Sequence, residues 1–265
     1  MRANHTKDRL AKGEVAIGCA IQHYRSADIP RTFAAAGFDY AFLDMEHGPF
    51  DLETVHDMIA AAVSSGITPV VRVGEMLYSL VARALDAGAQ GIIFPRVECP
   101  EALREALSWT KFPPQGKRGF GVLPPQIDYE PQSMPAITRH LNENTLVVVQ
   151  FETRAAMDRR EELLALPGID VAMVGPADLS IALGVSGEVD HPIMIESITA
   201  LMESCRRHNV VPGIHCRTTA QAAAWIERGM RFVGAGGEHN LLLERARESV
   251  AELRQASAKT AARPS

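Results

Sequence analysis

Short apolar segments rich in Val, Ile, Phe and Ala recur along the chain, and longer segments with the apolar spacing of an amphipathic helix separate them. This alternation is typical of βα units built around a parallel sheet. It predicts strands at 15–20, 40–44, 68–73, 91–95, 146–152, 171–175, 210–215 and 232–235. It predicts helices at 29–36, 52–65, 77–87, 100–110, 154–166, 193–208, 219–228 and 241–256. The chain is therefore expected to consist of eight strand and helix units.

Glycine-containing turns lie where a predicted helix passes into the next strand. The turns AGF, SGI, DAGA and RGM each place a Gly where a left-handed residue commonly ends a helix. Eight such units in 265 residues favour a single-domain α/β fold, the (β/α)8 TIM barrel, over an open doubly wound sheet. Neither GxGxxG nor a GxxxxGK phosphate loop follows the first predicted strand. We expect the barrel to occupy residues 1–256 and a polar tail to follow at 257–265.

One connection is too long to be a simple turn. Residues 112–144 follow the fourth predicted helix and are rich in Pro and Gly. Connections of this length commonly carry function. We expect a functional loop or lid here, with a short helix near 134–141.

Composition excludes several classes of protein. With 27 basic and 32 acidic residues the net charge is -5, and no basic block offers a surface for nucleic acid. No signal-peptide core or membrane-spanning apolar run is present, so we expect a cytoplasmic protein without a membrane partner. The four cysteines are scattered, which indicates reduced thiols rather than a disulfide framework.

Chemistry in such a barrel takes place at the carboxyl ends of the strands. Polar residues are dense at these positions, more so than packing requires. They are Asp44, Glu46, His47, Arg72, Glu75, Arg96, Glu98, Gln150, Glu152, Asp178 and His215.

Glu152 and Asp178 follow neighbouring strands and are the first candidate pair. If their carboxylates converge at the barrel mouth, they suit a hard divalent ion such as Mg²⁺ or Mn²⁺, with water and substrate completing the shell. The alternative is structural: Glu152 accepts a hydrogen bond from a loop, and Asp178 caps the following helix.

His47 comes directly after the second predicted strand and is the best candidate for a general base. An imidazole that is hydrogen-bonded to a carboxylate is held in one tautomer and is more basic, and Asp44 or Asp86 is the candidate acid. Arg72 would carry a fixed cation into the site. The alternatives are a structural histidine and an ordinary ion pair of Arg72 with Glu75 or Asp44.

Only five of the basic residues are lysines, and none lies on a predicted strand or at its carboxyl end. An aldolase that forms a Schiff base needs a desolvated amine at that position. Carbonyl chemistry in this barrel would therefore be metal-assisted.

Several of these strand ends lie within longer motifs. In chain order they are AGFDYAFLDMEHGPFD, PVVRV, LDAGAQGIIFPRVE, FPPQGKRGFG, VVVQFET and GIDVAMVGPADLS. In this order the motifs resemble the HpcH/HpaI aldolase family, class II metal-dependent pyruvate aldolases that include 4-hydroxy-2-oxoheptanedioate aldolase. The segment GIHCRTTAQAAAWIERGMRFVGAGGE continues the resemblance more loosely.

The resemblance implies roles for individual residues. Glu152 and Asp178 match the metal ligands, for Mg²⁺, Mn²⁺ or Co²⁺, and Gln150 matches a glutamine near that metal. His47 matches the catalytic base and Asp86 its paired acid. The remaining matches are Arg72, which holds pyruvate and its enolate, and the turn of Gly175, Pro176 and Ala177, which receives the pyruvate carboxylate.

The implied activity is the cleavage or formation of 4-hydroxy-2-oxo acids from pyruvate, or a related 2-oxo acid, and an aldehyde. The resemblance also implies a homo-oligomer, commonly a hexamer, whose C-terminal helix packs on a neighbour. An acyl-CoA lyase of the citrate lyase beta or malyl-CoA type, and a catalytically silent barrel scaffold, are the competing interpretations.

The chain departs from the family pattern in two places. Near the first strand many relatives carry an aromatic residue that closes one side of the pocket, whereas this chain reads IGCAIQHYRS. The last strand ends in the turn GAGGEHN, residues 234–240, which faces a substrate carboxylate or is only a tight loop. These segments and Arg118, which is expected to reach the acceptor aldehyde or a neighbouring subunit, are the positions that would set substrate choice.

Overall fold

The computed structural model describes residues 1–121, 124–127 and 129–261. Its eight strands are all parallel and pair in chain order, with the eighth closing on the first. The predicted (β/α)8 barrel is therefore confirmed, and each strand lies within two residues of its predicted bounds. The strands are β1 Ala16–Ile21, β2 Tyr40–Asp44, β3 Thr68–Arg72, β4 Gly91–Phe94, β5 Leu146–Phe151, β6 Val171–Val174, β7 Val211–Cys216 and β8 Phe232–Gly237.

Helices surround the barrel and also close its amino end. Two of them, α1 and α9, were not predicted, and the predicted helix 154–166 is divided at Arg159 into α7 and α8. The helices are α1 His5–Ala11, α2 Asp28–Ala36, α3 Leu52–Ser65, α4 Tyr78–Asp86, α5 Pro100–Ser108, α6 Met134–Asn144, α7 Arg154–Asp158, α8 Arg160–Leu164, α9 Pro176–Ala182, α10 Pro192–His208, α11 Thr219–Glu227 and α12 Glu238–Ala261.

The strands are apolar on both faces because each face packs against a separate core. One core lies between the sheet and the outer helices, and the other fills the barrel interior. Inside the barrel, the Tyr40 ring stacks on Phe232 with 4.1 Å between ring centroids. This packed interior fills the barrel below the strand ends, and the open space for a ligand lies at the mouth.

The glycine turns behave as predicted. Gly37, Gly66, Gly88 and Gly229 have φ angles of 92°, 80°, 106° and 105°, a conformation that L side chains rarely adopt. Each turn ends a helix and delivers the chain to the amino end of the next strand.

The long connection does not cover the mouth. It leaves α5 and returns to β5 along the outer helices, where Gln126 hydrogen-bonds the Leu85 carbonyl and the Gly119 amide donates to the Tyr78 hydroxyl at 3.0 Å. None of its described residues lines the cavity at the barrel mouth. The described residues of this segment therefore do not line the mouth, the expectation of a functional loop or lid stays a prediction, and the expected short helix is present as α6.

The C-terminal helix is longer than predicted at both ends. Residues 257–261, assigned to a polar tail, continue α12, and residues 262–265 lie outside the described residues. Within one chain α12 leaves Leu241, Leu242, Leu243 and Val250 exposed. The homo-oligomer implied by the resemblance stays a prediction. Among the described residues, no helix is long and apolar enough to cross a membrane.

Candidate active site

A cavity of about 560 Å³ opens at the carboxyl ends of the strands, and we call it the mouth cavity. Its volume falls within the range of about 300–1,000 Å³ that is typical of small-molecule sites. Among the residues that line it are His47, Arg72, Gln150, Gly175, Pro176, Ala177, Asp178, Asp190, His215, Arg217, Gln221 and Asn240. The cavity thus collects most of the residues that the sequence predicted for the site.

Arg72, at the end of β3, is held by a buried ion pair with Asp44 at the end of β2. Its Nε lies 2.9 Å from Asp44 Oδ1 and its Nη2 lies 2.5 Å from Asp44 Oδ2. Burial alone would raise the pKa of Asp44, but the hydrogen bonds and charge of Arg72 outweigh it and lower that pKa. The pKa of Arg72 is raised in turn, because its bonds to Asp44 outweigh its own burial. Both groups stay charged, so the predicted ion pair with Asp44 is present.

The remaining nitrogen of Arg72 faces two other side chains. Nη1 lies 3.0 Å from Glu46 Oε2 and 3.4 Å from Gln150 Oε1. The buried Glu46 Oε2 accepts no hydrogen bond. Arg72 Nη1 is close enough to it for an ion pair, but the angle between the two groups is unsuitable for a hydrogen bond. Asp44 therefore fixes one edge of the guanidinium, while the other edge is directed towards the acidic residues of the site.

Glu152, just past β5, is 2% exposed and receives two hydrogen bonds. The Arg96 amide donates to Oε1 at 2.8 Å, and Gln150 Nε2 donates to Oε2. Burial raises the pKa of Glu152, and the nearby charges of Glu46 and Asp178 raise it further. This mutual influence places the three carboxylates in one electrostatic cluster.

Asp178 reaches this cluster from the first turn of α9. The turn before it is closely packed, because a Cβ on Gly175 would lie 2.9 Å from both Gln150 Nε2 and Glu152 Oε2. A larger side chain at position 175 would require the side chains of Gln150 and Glu152, or the turn itself, to move. The structure therefore brings Glu152 and Asp178 close together, as the strand order predicts, although only Asp178 lines the mouth cavity itself.

The cluster provides some of the oxygen ligands that a divalent cation needs. Among the described residues, no group of three or more His, Cys, Asp or Glu side chains has the arrangement of a complete metal site. Glu152 and Asp178 provide carboxylate oxygens, and the orphaned Glu46 Oε2 adds negative charge nearby. Two protein carboxylates completed by water and substrate oxygens are an arrangement that Mg²⁺ commonly accepts.

His47 lies on the rim of the mouth cavity, where its side chain is 59% exposed. Its backbone amide donates to Asp44 Oδ1 at 3.2 Å, and its Nε2 lies 3.9 Å from Glu46 Oε2. The acid nearest to this imidazole within the described chain is therefore Glu46.

Asp86 and Arg118 are paired with each other away from this site. Asp86 is the last residue of α4 and faces a groove between α3 and α4, where Arg118 Nη2 lies 2.9 Å from its Oδ1. The Arg118 guanidinium lies over the Phe112 ring at 4.6 Å. Within one chain the structure does not bring Asp86 to His47 or Arg118 to the mouth cavity.

Two further residues of the mouth cavity are His215, which the sequence analysis named only as a polar residue at a strand end, and Arg217, which it did not name. His215 lies on β7 with its Nε2 2.8 Å from the Gly236 carbonyl oxygen. Burial lowers its pKa to about 4, so the ring is neutral at pH 7 and its Nε2–H donates to that carbonyl. Cys216, the next residue, is buried, and burial raises the pKa of its thiol to about 12. Asp178 was selected from the sequence because it is a polar residue just past a predicted strand. The same criterion would have selected Arg217.

The buried neutral state of His215 predicts an acid-dependent loss of stability. Because its pKa falls from 6.5 to about 4 on folding, the unfolded chain binds more protons between these values. Its contribution is complete above pH 6.5 and is lost as the pH falls towards 4. We expect urea unfolding of the His215→Asn variant to show a smaller decline in stability between pH 7 and 5 than the parent chain. Parallel pH profiles would contradict this assignment.

Comparison with known proteins shows that this chain is similar to aldolases. A family model described as HpcH/HpaI aldolase/citrate lyase matches residues 23–244. The 5-keto-4-deoxy-D-glucarate aldolase of Klebsiella pneumoniae is 33% identical over 246 residues, which cover 89% of this chain and 91% of that protein. An HpcH/HpaI aldolase from Desulfitobacterium hafniense superposes with a TM-score of 0.88 at 28% identity, covering 94% of this chain and 96% of that one. An HpcH/HpaI aldolase/citrate lyase family protein from Burkholderia cenocepacia gives a TM-score of 0.86 at 32% identity, covering 95% and 99%.

Proposed function

This chain belongs to the HpcH/HpaI aldolase/citrate lyase family, and from that premise we propose that it is a metal-dependent aldolase for 4-hydroxy-2-oxo acids. It is a carbon–carbon lyase, as its aldolase relatives are. The proposed reaction joins pyruvate, or a related 2-oxo acid, to an aldehyde, or cleaves the product. The observation that carries the proposal is the cluster of Glu46, Glu152 and Asp178 beside the charged Arg72 at the barrel mouth.

Glu152 and Asp178 are the proposed ligands of Mg²⁺, Mn²⁺ or Co²⁺. When bound, such a cation supplies positive charge for the oxygens of a 2-oxo acid and for its enolate. Gln150 donates to Glu152 and thereby fixes the orientation of that carboxylate. Ligand carboxylates are commonly held by a neighbouring hydrogen bond in this way.

Arg72 is the proposed partner of the keto and enolate oxygens of the substrate. The Asp44 ion pair holds its guanidinium in one orientation and keeps it charged, so little reorganisation is needed when negative charge develops. The substrate carboxylate is proposed to lie at the turn of Gly175, Pro176 and Ala177. Pro176 has no amide hydrogen, the Gly175 amide donates to Phe151 and the Leu179 amide donates to Gly175, which leaves the amides of Ala177 and Asp178 for that carboxylate.

His47 is the proposed proton carrier. In the synthetic direction a proton leaves C3 of pyruvate, the C3–C4 bond forms, and the aldehyde oxygen takes up a proton. The exposed imidazole on the rim can exchange protons with solvent and with the reacting atoms, and Glu46 is the carboxylate placed to orient it in this chain. Asp86, which the resemblance pairs with His47, is too remote within one chain to do so.

The lysines do not support a Schiff-base mechanism. Burial lowers the pKa of Lys111 to about 8. Its Nζ donates to the Asn142 and Thr145 carbonyls, at the amino end of β5 and opposite the mouth. None of the five lysines lines the mouth cavity.

Exchange of the pyruvate methyl protons in D₂O tests the proposal directly. We expect loss of the methyl ¹H signal with Mg²⁺, Mn²⁺ or Co²⁺, and a return to the uncatalysed rate when a chelator removes the metal. Exchange that persists after complete chelation would contradict metal dependence. No exchange with any of the three ions would favour the silent scaffold, and trapping of pyruvate on the protein by borohydride would indicate an imine instead.

A further inference from the structure

The loop that follows β1 is fastened to the start of α12 by one buried carboxylate. Glu238, the first residue of α12, is 4% exposed, and its Oε1 and Oε2 each accept from the Gln22 amide at 3.0 Å. The amides of His23 and Tyr24 donate to the same Oε1 at 2.5 and 2.9 Å. Successive backbone amides form a concave donor site for an anion, and here the anion is a side chain of the same molecule. The backbone at Gln22 is therefore fixed by Glu238.

The register of the closing strand pair brings these two segments together. The pairing of β1 with β8 shifts after Gly18, so that Ala20 lies opposite Gly237. A Cβ at position 237 would lie 3.2 Å from Gln22 Oε1, and glycine therefore allows this close approach. Gln22 and Glu238 follow directly, so their contact is a consequence of how β8 closes the barrel.

Gln22 lines the mouth cavity and shares one carboxylate with Arg72. Its Nε2 donates to Asp44 Oδ2 at 2.8 Å, and the same oxygen accepts from Arg72 Nη2 at 2.5 Å. Asp44 Oδ1 accepts from Arg72 Nε and from two backbone amides of the following loop. Within the part of the chain that the structure describes, Gln22 thus provides the one side-chain hydrogen bond to Asp44 that does not come from Arg72.

A bidentate ion pair transmits the orientation of one group to the other. The last torsion of an Asp side chain is broad, so the plane of the Asp44 carboxylate depends on the groups that hold its two oxygens. The paired donors of a guanidinium are rigid, so the plane of Arg72 follows the plane of Asp44. Without the Gln22 bond, Oδ2 would be held by Arg72 alone and both planes would be freer to turn. Arg72 would then meet the negative charge of an enolate in a poorer alignment.

We propose that Gln22 is a positioning residue for the reaction, because it fixes the Asp44 carboxylate that orients Arg72, and that Glu238 holds Gln22 in place. In this role neither Gln22 nor Glu238 touches the reacting atoms. The inference rests on the proposed aldolase function, in which Arg72 binds the enolate oxygen. It adds the start of the C-terminal helix to the groups on which that function depends.

Inhibition by oxalate measures the alignment of Arg72, because oxalate is a planar dianion that resembles the enolate of pyruvate. Gln22→Met preserves the length of the side chain and removes its donor. We expect it to raise the inhibition constant of oxalate, and to lower kcat for pyruvate methyl exchange, by about 5- to 10-fold, the effect of one hydrogen bond. The KM for pyruvate and the affinity for Mn²⁺ should change by less than about 2-fold, because alignment matters most once negative charge has developed. A smaller folded fraction would lower kcat but would leave the inhibition constant unchanged.

Double variants test whether the effect passes through Asp44. Gln22→Met should have less effect on the oxalate constant in Asp44→Asn than in the parent chain. An equal effect in both backgrounds would indicate that Gln22 contacts the ligand directly and would overturn the proposal. If Asp44→Asn does not fold, the KM for pyruvate decides the same question, because loss of a direct contact would raise it.

Glu238→Gln tests the second part of the proposal. The variant keeps one acceptor oxygen for the three amides, and the loop is then held less firmly. We expect it to raise the oxalate constant in the parent chain but not in Gln22→Met, because Glu238 acts through Gln22. No effect in the parent chain, or an equal effect in both backgrounds, would overturn the role of Glu238.

The controls separate this inference from the proposed function. Gln115→Met makes the same change at an exposed position that does not line the mouth cavity, and it should leave kcat, KM and both binding constants at the parent values. Metal-dependent exchange in the parent chain together with normal kcat and oxalate inhibition in Gln22→Met would overturn the inference alone. Absence of exchange in the parent chain with Mg²⁺, Mn²⁺ and Co²⁺ would refute the proposed function itself.

Discussion

Replacing Glu152 by Gln should reduce pyruvate methyl exchange by about 1,000-fold, the largest effect on activity that we expect. The substitution preserves the shape of the side chain and an acceptor for the Arg96 amide, but it removes one of two proposed ligand carboxylates. Loss of that charge should weaken both metal binding and the electrostatic stabilisation of the enolate. Mn²⁺ titration followed by electron paramagnetic resonance measures the first effect, and the exchange assay measures the second.

The matched control is Glu75→Gln. Glu75 also follows a barrel strand and was a sequence candidate for pairing with Arg72, but it is exposed and does not line the mouth cavity. We expect this variant to keep the exchange rate and Mn²⁺ affinity of the parent chain. Thermal unfolding should show that Glu152→Gln remains folded, because replacement of a buried carboxylate by an amide relieves repulsion from Glu46 and Asp178. Full exchange activity in Glu152→Gln would refute the proposed ligand.

Replacing Asp44 by Asn should cause the largest loss of stability, about 3–5 kcal/mol in the free energy of unfolding. Asp44 is fully buried and accepts hydrogen bonds from Arg72, from Gln22 Nε2 at 2.8 Å, and from the amides of Glu46 and His47. Its loss leaves the Arg72 guanidinium buried without its main counter-ion. Urea unfolding measures the change, and pyruvate methyl exchange should fall as well, since Arg72 and the His47 loop both depend on Asp44.

A double-mutant cycle identifies the cause of that loss. If the buried unpaired charge is responsible, Asp44→Asn combined with Arg72→Met should be less destabilising than the sum of the two single variants. The control is Asp28→Asn, because the Asp28–Arg31 pair is exposed and 3.4 Å long, and such pairs contribute little. Simple additivity of the two buried substitutions would contradict the ion-pair explanation.

Much of the barrel could be predicted because its determinants are local. Strands buried on both faces require continuous apolar runs, and left-handed turns require glycine, so both leave a clear pattern in the chain. The split between α7 and α8 at Arg159 and the short helix α1 left no such pattern. The helix α1 depends on contacts distant in sequence, such as the hydrogen bonds from the Asn4 side chain to the Gln90 and Asn144 carbonyls.

The candidate site was likewise predictable from the sequence only in part. The strand-end rule brought Asp178, Arg72 and His47 to one cavity and Glu152 to the carboxylate cluster beside it, because parallel strands all end at the same face of the barrel. The rule does not apply to Asp86, which ends a helix, or to Arg118, which lies in the long connection. Their pairing with each other could be recognised only after the outer helices were in place.

The sequence by itself determined the barrel, the family and the set of polar residues at the strand ends, because periodicity and motif order are properties of the chain. Only the tertiary structure decided which of those residues have partners. It showed that Asp44 satisfies Arg72, that Glu46 rather than Asp86 lies beside His47, and that the Arg217 guanidinium has no partner in the described chain. The physical reason is that ion pairing depends on distances of a few ångströms between elements far apart in sequence, which spacing along the chain does not encode.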